Sequence, residues 1–236
     1  MKAAFTLIEL LVVVAVVAVI AGVAFPVYQN ARVSSSRVVA LGALRQMSMA
    51  GNLYLADNQQ RFWRFRSDTA EGTTYWFGYE TAADASLPEG SRTVDYERGA
   101  LGPYNGGLHD VHPDPQFTRV GNTFKPKFKN GYIPYGYNTL LQNKPVTSIL
   151  NLSKRVVFAT SAQVNTFQPP ASPGHPMLEE FYLVDDFNVT ASFRYHGRAL
   201  CAFADGSTGF LDPQPNTLDA RLPGASVGKL PLENLK

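Results

Sequence analysis

Apolar residues dominate the beginning of the chain. Residues 10–31 contain no charged side chain, and residues 10–25 are only Leu, Val, Ala, Ile, Gly and Phe. As a helix that starts at Phe5, this segment reaches about 31 Å at roughly 1.5 Å per residue, which matches the hydrocarbon core of a bilayer. The pattern therefore predicts one membrane-spanning helix, and the sequence contains no second stretch of this kind.

A helical pattern continues beyond this segment, but with its apolar residues on one side. Arg37, Arg45 and Gln46 lie largely off that side. The apolar stripe consists of Val33, Ala40, Leu41, Leu44, Met47, Gly51, Tyr54 and Leu55. Taken together, the two segments predict one helix of about 53 residues and roughly 80 Å, because each residue adds about 1.5 Å. Its second half should lay the stripe on the rest of the chain, with Met47 and the aromatic residues in the core.

Short β-patterned segments fill much of the remaining chain. Residues 59–80 are rich in aromatic side chains, and Asp205-Gly206 between apolar runs is a hairpin signal. The predicted strands cover residues 73–79, 132–137, 155–160, 181–184, 191–195, 199–204 and 208–211. These elements predict an α+β fold with a long N-terminal helix packed on a C-terminal antiparallel β-sheet.

Two segments lack a periodic pattern. Residues 82–130 contain many Gly, Pro and Asp, which indicates an irregular variable loop. Residues 212–236 are interrupted by Pro213, Pro215, Pro223 and Pro231, so we expect a tail without regular structure that packs as an extended arm.

Composition and charge exclude several classes of function. The chain of 236 residues is 45% hydrophobic and 17% charged, as expected of a mostly folded protein and not of a disordered one. Its net charge is +2 with no basic run, so we expect no nucleic-acid partner. Cys201 is the one cysteine, which excludes an intramolecular disulfide, and its place on a predicted strand suggests a buried, inert thiol.

One acidic residue, Glu9, interrupts the apolar N-terminal segment. An ionisable side chain in a membrane is costly, so Glu9 should have a partner, whereas a simple signal peptide has no use for it. Gly22-Val23-Ala24 provides a small-x-small site for an ordinary leader peptidase, but the helical pattern continues beyond it.

Residues 4–12, AFTLIELLV, resemble the processing signature of type IV prepilins and type II secretion pseudopilins. The resemblance implies that a prepilin peptidase cuts between Ala4 and Phe5 and N-methylates Phe5; Ala4 stands where most members carry Gly. It also implies an inner-membrane protein with a cytoplasmic N-terminus and a periplasmic head. The implied division is a leader at 1–4, a transmembrane and filament-core helix at 5–32, and a pilin-like head at 33–236, with 33–57, 82–130, 131–211 and 212–236 as its helical half, variable loop, sheet and tail.

The same resemblance implies an assembly role for two residues. Cleavage creates a positive amine on Phe5, and the carboxylate of Glu9 can pair with the amine of a neighbouring subunit. Pro26 removes one backbone hydrogen bond and should bend or loosen the helix where it leaves the bilayer, although it is also a common helix stop. The implied partners are other pilin-like subunits, an inner-membrane platform protein, a cytoplasmic ATPase and the lipid bilayer.

The C-terminal half is similar to a group of bacterial pilin-like proteins in which a His is followed, after nine residues, by Asp-Gly. In this chain His196 and Asp205-Gly206 are separated by eight residues, and Tyr135-Gly136-Tyr137-Asn138 matches upstream. We interpret both as sheet and turn elements. With no nucleophile motif nearby, a structural hydrogen bond between His196 and Asp205 is favoured over a catalytic pair.

A cluster of candidate metal ligands lies in the 82–130 loop. His109, Asp110, His112 and Asp114 place two imidazoles and two carboxylates within six residues, a set that suits zinc or, through its carboxylates, calcium. Major pseudopilins are similar in having a calcium-stabilised loop. Because Pro113 restricts the backbone and the ligands lack the EF-hand or paired His-Glu spacing, a solvated loop is the favoured interpretation.

The sequence favours a structural function over catalysis. It contains no Gly-x-Ser-x-Gly, His-Glu-x-x-His, phosphate-loop or Rossmann pattern, so no enzyme class and no cofactor is predicted. The resemblance implies a subunit of a type II secretion pseudopilus or a type IV pilus, and the lack of a disulfide-bounded C-terminal loop favours the pseudopilus. The alternative is a membrane-tethered ligand-binding or hydrolytic protein that uses the 82–130 loop.

Overall fold

The N-terminal part of the fold is one long helix. The computed structural model describes residues 6–105, 114–117, 124–166 and 171–236. Helix α1, Leu7–Asp57, runs for 51 residues with Pro26 inside it. Its last turn ends at Asn58, whose backbone N–H and side-chain Nδ2 both donate to the Tyr54 carbonyl at 2.9 Å. The predicted continuous helix is therefore confirmed.

The two halves of α1 differ in what they touch. Ala40, Leu44 and Met47 are completely buried, as the predicted apolar stripe requires, whereas Leu7 is 80% exposed. At Gly51 an added Cβ would lie 2.8 Å from Cη2 of Trp63, so this position of the stripe lets an indole ring lie directly against the helix. The outer half of α1 thus belongs to the folded head.

Thirteen short strands and two short helices make up the rest of the described regular structure. The strands are β1 Arg66–Asp68, β2 Gly72–Tyr75, β3 Tyr79–Thr81, β4 Phe124–Lys125, β5 Tyr135–Asn138, β6 Val156–Thr160, β7 Gln163–Val164, β8 Leu178–Glu179, β9 Leu183–Val184, β10 Ala191–Ser192, β11 Ala199–Phe203, β12 Thr208–Leu211 and β13 Val227–Gly228. The helices are α2 Ala82–Ala85 and α3 Leu232–Leu235, and 3-10 turns cover Tyr96–Arg98, Gly102–Tyr104, Thr139–Leu141, Val146–Ser148 and Pro223–Ala225.

The central sheet has five strands in the order β12-β11-β6-β5-β9. Its pairs are antiparallel except β5 with β9, which is parallel. The Tyr135 hydroxyl donates to the Ala40 carbonyl at 3.3 Å and joins the sheet to α1. The α+β fold with a long N-terminal helix on a C-terminal sheet is therefore confirmed, with one parallel pair in the central sheet and another, β4 with β8, outside it.

Both faces of the central sheet are covered. Leu200 and Ala202 of β11 belong to the core that includes Leu44 of α1. Their neighbours Ala199 and Cys201 point to the opposite face, since side chains alternate along a strand, and pack in a second cluster. Burial raises the pKa of the Cys201 thiol, as predicted for an inert cysteine.

The C-terminal tail packs on that second face, and because it contains β13 and α3, the expectation that it holds no regular structure was wrong. Leu230 and Leu235 are buried in the cluster below β11, β13 pairs with β10, and α3 follows Pro231. The prolines in the tail are compatible with the short elements β13 and α3. Pro231 lies just before α3, where its missing N–H is not needed. The apolar second face of the sheet has to be shielded from water, and the side chains of the tail shield it.

The aromatic segment predicted as one strand over 73–79 is a hairpin. The Tyr75 N–H donates to the Gly78 carbonyl at 2.7 Å, and the chain reverses between β2 and β3. Trp76 and Phe77 in the turn are fully buried. The reversal brings both rings into the core, whereas a straight strand would place successive side chains on opposite faces.

Candidate functional site

The start of α1 is a capping box formed by Thr6 and Glu9. The Glu9 N–H donates to the Thr6 hydroxyl oxygen at 3.3 Å, and the Thr6 N–H and hydroxyl donate to Oε2 of Glu9 at 2.9 and 2.8 Å. This arrangement satisfies helix-terminal donors reciprocally and places a negative charge at the positive end of the helix dipole. Thr6 was not recognised as a cap from the sequence, although Thr-x-x-Glu before an apolar run is the pattern that signals one.

One carboxylate oxygen of Glu9, Oε1, accepts no hydrogen bond from the described residues. Both hydrogen bonds to its carboxylate end on Oε2, and within the described residues no donor reaches Oε1. Ala4 and Phe5 lie outside the described residues. An amine brought close to the helix start from another molecule would therefore find an exposed carboxylate oxygen.

The first half of α1 presents apolar side chains in every direction. Each large apolar residue from Leu7 to Tyr28 is more than half exposed, from 52% at Val13 and Val16 to 80% at Leu7. Among the described residues, α1 is the one helix long and apolar enough to cross a membrane. A continuous apolar surface of this extent needs lipid or other apolar helices around it.

Pro26 lies within this exposed half without ending the helix. The proline has no N–H to donate to the carbonyl four residues earlier, at Gly22, and nothing lies within 4 Å of where a Gly22 side chain would be. One turn of α1 thus combines a missing backbone hydrogen bond with a residue of low helix propensity. This turn is the part of the exposed half best suited to bend or unwind.

The candidate metal ligands separate into two groups. His109, Asp110 and His112 lie outside the described residues. Asp114 is completely buried, and its Oδ2 accepts from Arg194 Nη2 at 2.7 Å and Nε at 2.9 Å. Its Oδ1 accepts from the Tyr195 hydroxyl at 2.5 Å. Within the described ranges, no group of three His, Cys, Asp or Glu residues is placed to hold a metal ion.

His196 and Asp205 do not form the expected structural hydrogen bond. His196, at φ 54°, lies in the turn before β11, and Asp205 lies in the turn after it, where it accepts from the Ser207 N–H and hydroxyl. The strand β11, whose five residues span about 17 Å at roughly 3.3 Å each, lies between the two turns. Asp205 lies in a turn, as predicted, and His196 lies in a separate turn at the other end of β11.

Comparison with known proteins supports the N-terminal assignment. Residues 1–25 match the family model of the prokaryotic N-terminal methylation motif, which is typical of type IV pilins and pseudopilins. The match covers Ala4, Phe5 and Glu9 and ends one residue before Pro26. It does not extend to the C-terminal His and Asp-Gly pattern. Neither a search of curated proteins nor a search of solved structures gave a match.

Proposed function

We propose that this protein is a pilin-like structural subunit, anchored in the bacterial inner membrane by α1 and assembled into a filament. The observation that carries the proposal is the exposed apolar half of α1 directly behind the matched methylation motif. The outer half of the same helix is built into a folded head. One continuous helix therefore joins a membrane-length anchor to a water-exposed domain.

Processing by a prepilin peptidase supplies the charge that assembly needs. A cut between Ala4 and Phe5 leaves Thr6 as the second residue, so the new amine starts one residue before the helix cap. The peptidase acts from the cytoplasmic face, which places the N-terminus there and the head in the periplasm. The capping box survives the cut because neither Thr6 nor Glu9 is removed.

Glu9 then recruits the next subunit. In the membrane its Oε2 is held by Thr6, and its second oxygen is available to the methylated amine of a neighbour. A charge pair in a medium of low dielectric is stronger than one in water, so pairing is favoured where the apolar helices close around it. An uncut subunit has no such amine and is excluded from the filament.

The filament core forms from the exposed halves of α1. Bundling transfers the apolar side chains of residues 7–28 from lipid to the surfaces of other helices. Packing between the helices replaces the contacts with lipid that this transfer removes. The weakened turn at Gly22 and Pro26 lets the helix adapt as it leaves the bilayer. An inner-membrane platform protein and a cytoplasmic ATPase supply the partner surface and the work of extraction.

Of the two filament types, we favour the pseudopilus of type II secretion over a type IV pilus. Cys201 is the one cysteine of the chain and is completely buried, so a disulfide cannot close a C-terminal loop of the kind many surface pilins carry. The C-terminus is instead held by packing against β11.

Site-specific photo-crosslinking tests the assembly proposal. With p-benzoylphenylalanine at Val16 in the native host, we expect covalent adducts to the same chain or to another pilin-like subunit, identified by mass spectrometry. The adducts should disappear in a strain without the assembly ATPase, in which subunits stay in the bilayer. Adducts to lipid alone in both strains would contradict assembly through α1.

A further inference from the structure

A pocket of about 140 Å³ lies between α3 and the segment that joins β5 to β6. Its apolar walls are Leu141, Ile149 and Leu150 from that segment and Leu235 from α3. Leu141 and Leu235 are buried, whereas Leu150 is 76% exposed and lies at the surface. Sites for drug-sized molecules enclose about 300 Å³ or more. This pocket therefore has room for a small ligand or for one group of a larger one.

Arg155, which directly precedes β6, is a buried cation in the wall of this pocket. The residue is 6% exposed, and it forms no ion pair within the described part of the chain. Burial lowers the pKa of its guanidinium, and no neighbouring charge offsets the effect. Arg is almost never buried without a paired acid, because a charge removed from water is costly. A buried guanidinium beside a cavity is the state expected when its counterion belongs to a ligand.

The hydrogen bonds of the Arg155 side chain are long and incomplete. Nη1 donates to the Glu233 carbonyl at 3.3 Å and Nη2 to the Leu150 carbonyl at 3.5 Å, whereas such bonds usually measure about 2.9 Å. Nε forms no hydrogen bond within the described residues and is not closed off from solvent. Since a guanidinium carries five N–H donors, several of them remain for a ligand.

Arg194 shows what a satisfied buried guanidinium has in this fold. Its Nε and Nη2 both donate to Oδ2 of Asp114, at 2.9 and 2.7 Å. The Arg194 side chain is 2% exposed, and the carboxylate supplies the counter-charge that its burial requires. Arg155 is also buried but has no carboxylate partner among the described residues. The anion that best completes it is therefore a carboxylate from outside the chain.

The other charges at the pocket leave it positive. The ammonium of Lys236 is already paired, since it lies 2.7 Å from Oδ2 of Asp186. Lys144 also lines the pocket, and its exposed ammonium forms no hydrogen bond or ion pair within the described residues. No acidic side chain of the described residues lines the pocket. Arg155 and Lys144 are therefore two cations that line one cavity without a counterion.

We propose that this pocket binds a carboxylate on a short aliphatic stem. The carboxylate pairs with the guanidinium of Arg155, whose fork geometry matches it, and the ammonium of Lys144 adds a second positive charge. The stem packs on Ile149 and Leu150. A phosphate dianion is disfavoured, because the apolar walls would leave more of its charge without partners. The carboxylate comes from a free small acid or from the end of another protein chain, and this site adds ligand binding to the proposed assembly function.

Isovalerate is the probe, since it is a carboxylate on a stem the size of a leucine side chain. It is titrated against the full chain in phosphatidylcholine nanodiscs at neutral pH, and saturation-transfer NMR reports binding after subtraction of empty nanodiscs. We expect saturable binding with a Kd of about 1 mM or below. Isovaleramide, the neutral amide of the same shape, should bind at least about tenfold more weakly. No saturable binding of isovalerate at millimolar concentrations would overturn the proposal, and equal binding of the amide would overturn it by showing an apolar cavity only.

Two further ligands test the class and the source of the carboxylate. Inorganic phosphate should bind more weakly than isovalerate, and tighter binding of phosphate would overturn the ligand class. N-acetyl-leucine carries the same stem and carboxylate behind a peptide bond, as the end of a protein chain does. Tighter binding of N-acetyl-leucine than of isovalerate supports a chain end as the source, and tighter binding of isovalerate supports a free acid.

Lys144→Gln and Lys154→Gln form a matched pair of variants. Both lysines are exposed, but Lys144 lines the pocket and Lys154 does not. Lys144→Gln should raise the Kd for isovalerate about three- to fivefold, the effect of one exposed charge, with no change in melting temperature. Lys154→Gln should change neither quantity. Equal effects of the two variants on Kd would reduce the attraction to net charge and overturn the assigned pocket.

Arg155→Lys keeps the positive charge and removes the fork, so Kd should rise at least about tenfold. In the wild type isovalerate should raise the melting temperature, because it binds the folded state, and this rise should be lost in the variant. A variant that melts lower but binds isovalerate like the wild type would show that Arg155 only holds the carbonyls of Leu150 and Glu233, which would overturn the proposal. If Arg155→Lys does not fold, the lysine pair and isovaleramide decide. All measurements use unassembled protein, so their outcome does not depend on the assembly proposal.

Discussion

Arg194 and Asp114 form a buried ion pair, with 2.7 Å between Arg194 Nη2 and Asp114 Oδ2 and side chains 2% and 0% exposed. The guanidinium also donates to the carbonyls of Pro134 and Ser161 at 2.7 and 3.2 Å, and the Tyr195 hydroxyl donates to the other carboxylate oxygen. A buried pair is tolerated when hydrogen bonds satisfy both ions in this way. The pair therefore ties residues 114–117 of the variable loop to the central sheet.

Asp114→Asn should destabilise the head by about 3 to 5 kcal/mol, because it leaves the Arg194 charge buried without its partner. Asp68→Asn is the matched control, since the Arg66–Asp68 pair is exposed and should contribute less than about 1 kcal/mol. Thermal unfolding followed by circular dichroism compares the two variants. Equal melting temperatures for both would contradict a structural role for the buried pair.

The head alone, from about Val33, should be soluble and monomeric. Truncation there removes the continuous exposed apolar surface of residues 7–28, while the stripe of α1 that packs on the sheet remains. Size-exclusion chromatography with light scattering measures the mass. A head that aggregates or sediments with membranes would count against dividing the chain at this point.

The mature protein should begin with N-methyl-Phe5. The methylation motif matches residues 1–25, and cleavage before Phe5 is what that motif implies. Mass spectrometry of the N-terminal peptide from the native host identifies the first residue and its methylation, and a strain lacking the prepilin peptidase is the control. An intact Met1 terminus in the presence of the peptidase would show that processing does not occur.

Glu9→Gln should leave processing and membrane insertion intact but impair entry into filaments. Gln can still form the capping box with Thr6, so the variant removes the charge without removing the cap. Thr6→Val is the converse control, because it removes the cap and keeps the charge. The amounts of sheared filament and secreted cargo are compared at matched membrane levels. Unchanged filaments in Glu9→Gln would exclude charge pairing, and the same defect in Thr6→Val would assign the effect to the cap.

Stability of the head should fall between about pH 5 and 7 through Glu180. Burial raises the pKa of this carboxyl from 4.5 to about 7, so the folded state holds a proton that the unfolded state has released. The stabilisation from the protonated Glu180 is complete below its pKa in the unfolded state and is lost as pH rises through its pKa in the folded state. The loss is roughly 3 kcal/mol, at about 1.36 kcal/mol per pKa unit. Urea unfolding of the head from pH 4.5 to 8 measures it.

Glu180→Gln is the control for that measurement, because its side chain does not titrate. The variant should be less stable at pH 5, since an amide cannot accept from both the Lys127 and the Ile133 N–H. Its unfolding free energy should also depend less on pH in this window. The same slope in wild type and variant would assign the pH dependence to other groups.

The length of α1 and the division between its exposed and buried halves could be predicted from the sequence, because both depend on residues that are close together in the chain. Helical periodicity and the length of an apolar run involve residues a few positions apart, and the exposure of residues 7–28 against the burial of Ala40 and Leu44 follows from them. The motif around Phe5 and Glu9 is likewise contiguous. Most strands were also located, since alternation and the Asp205-Gly206 turn are short-range signals, although 181–184 and 191–195 shortened to β9 and β10.

The roles of other residues depended on contacts between distant parts of the chain. The sequence places Asp114 close to two histidines, but its partner Arg194 is 80 residues away. Arg155 carried no motif, and the Glu233 carbonyl that it contacts is 78 residues away. The tail acquired structure because the sheet has a second apolar face that only the assembled fold reveals. A sequence pattern shows what a segment can form by itself, whereas the burial of a carboxylate or a guanidinium is decided by which surfaces meet when the segments pack.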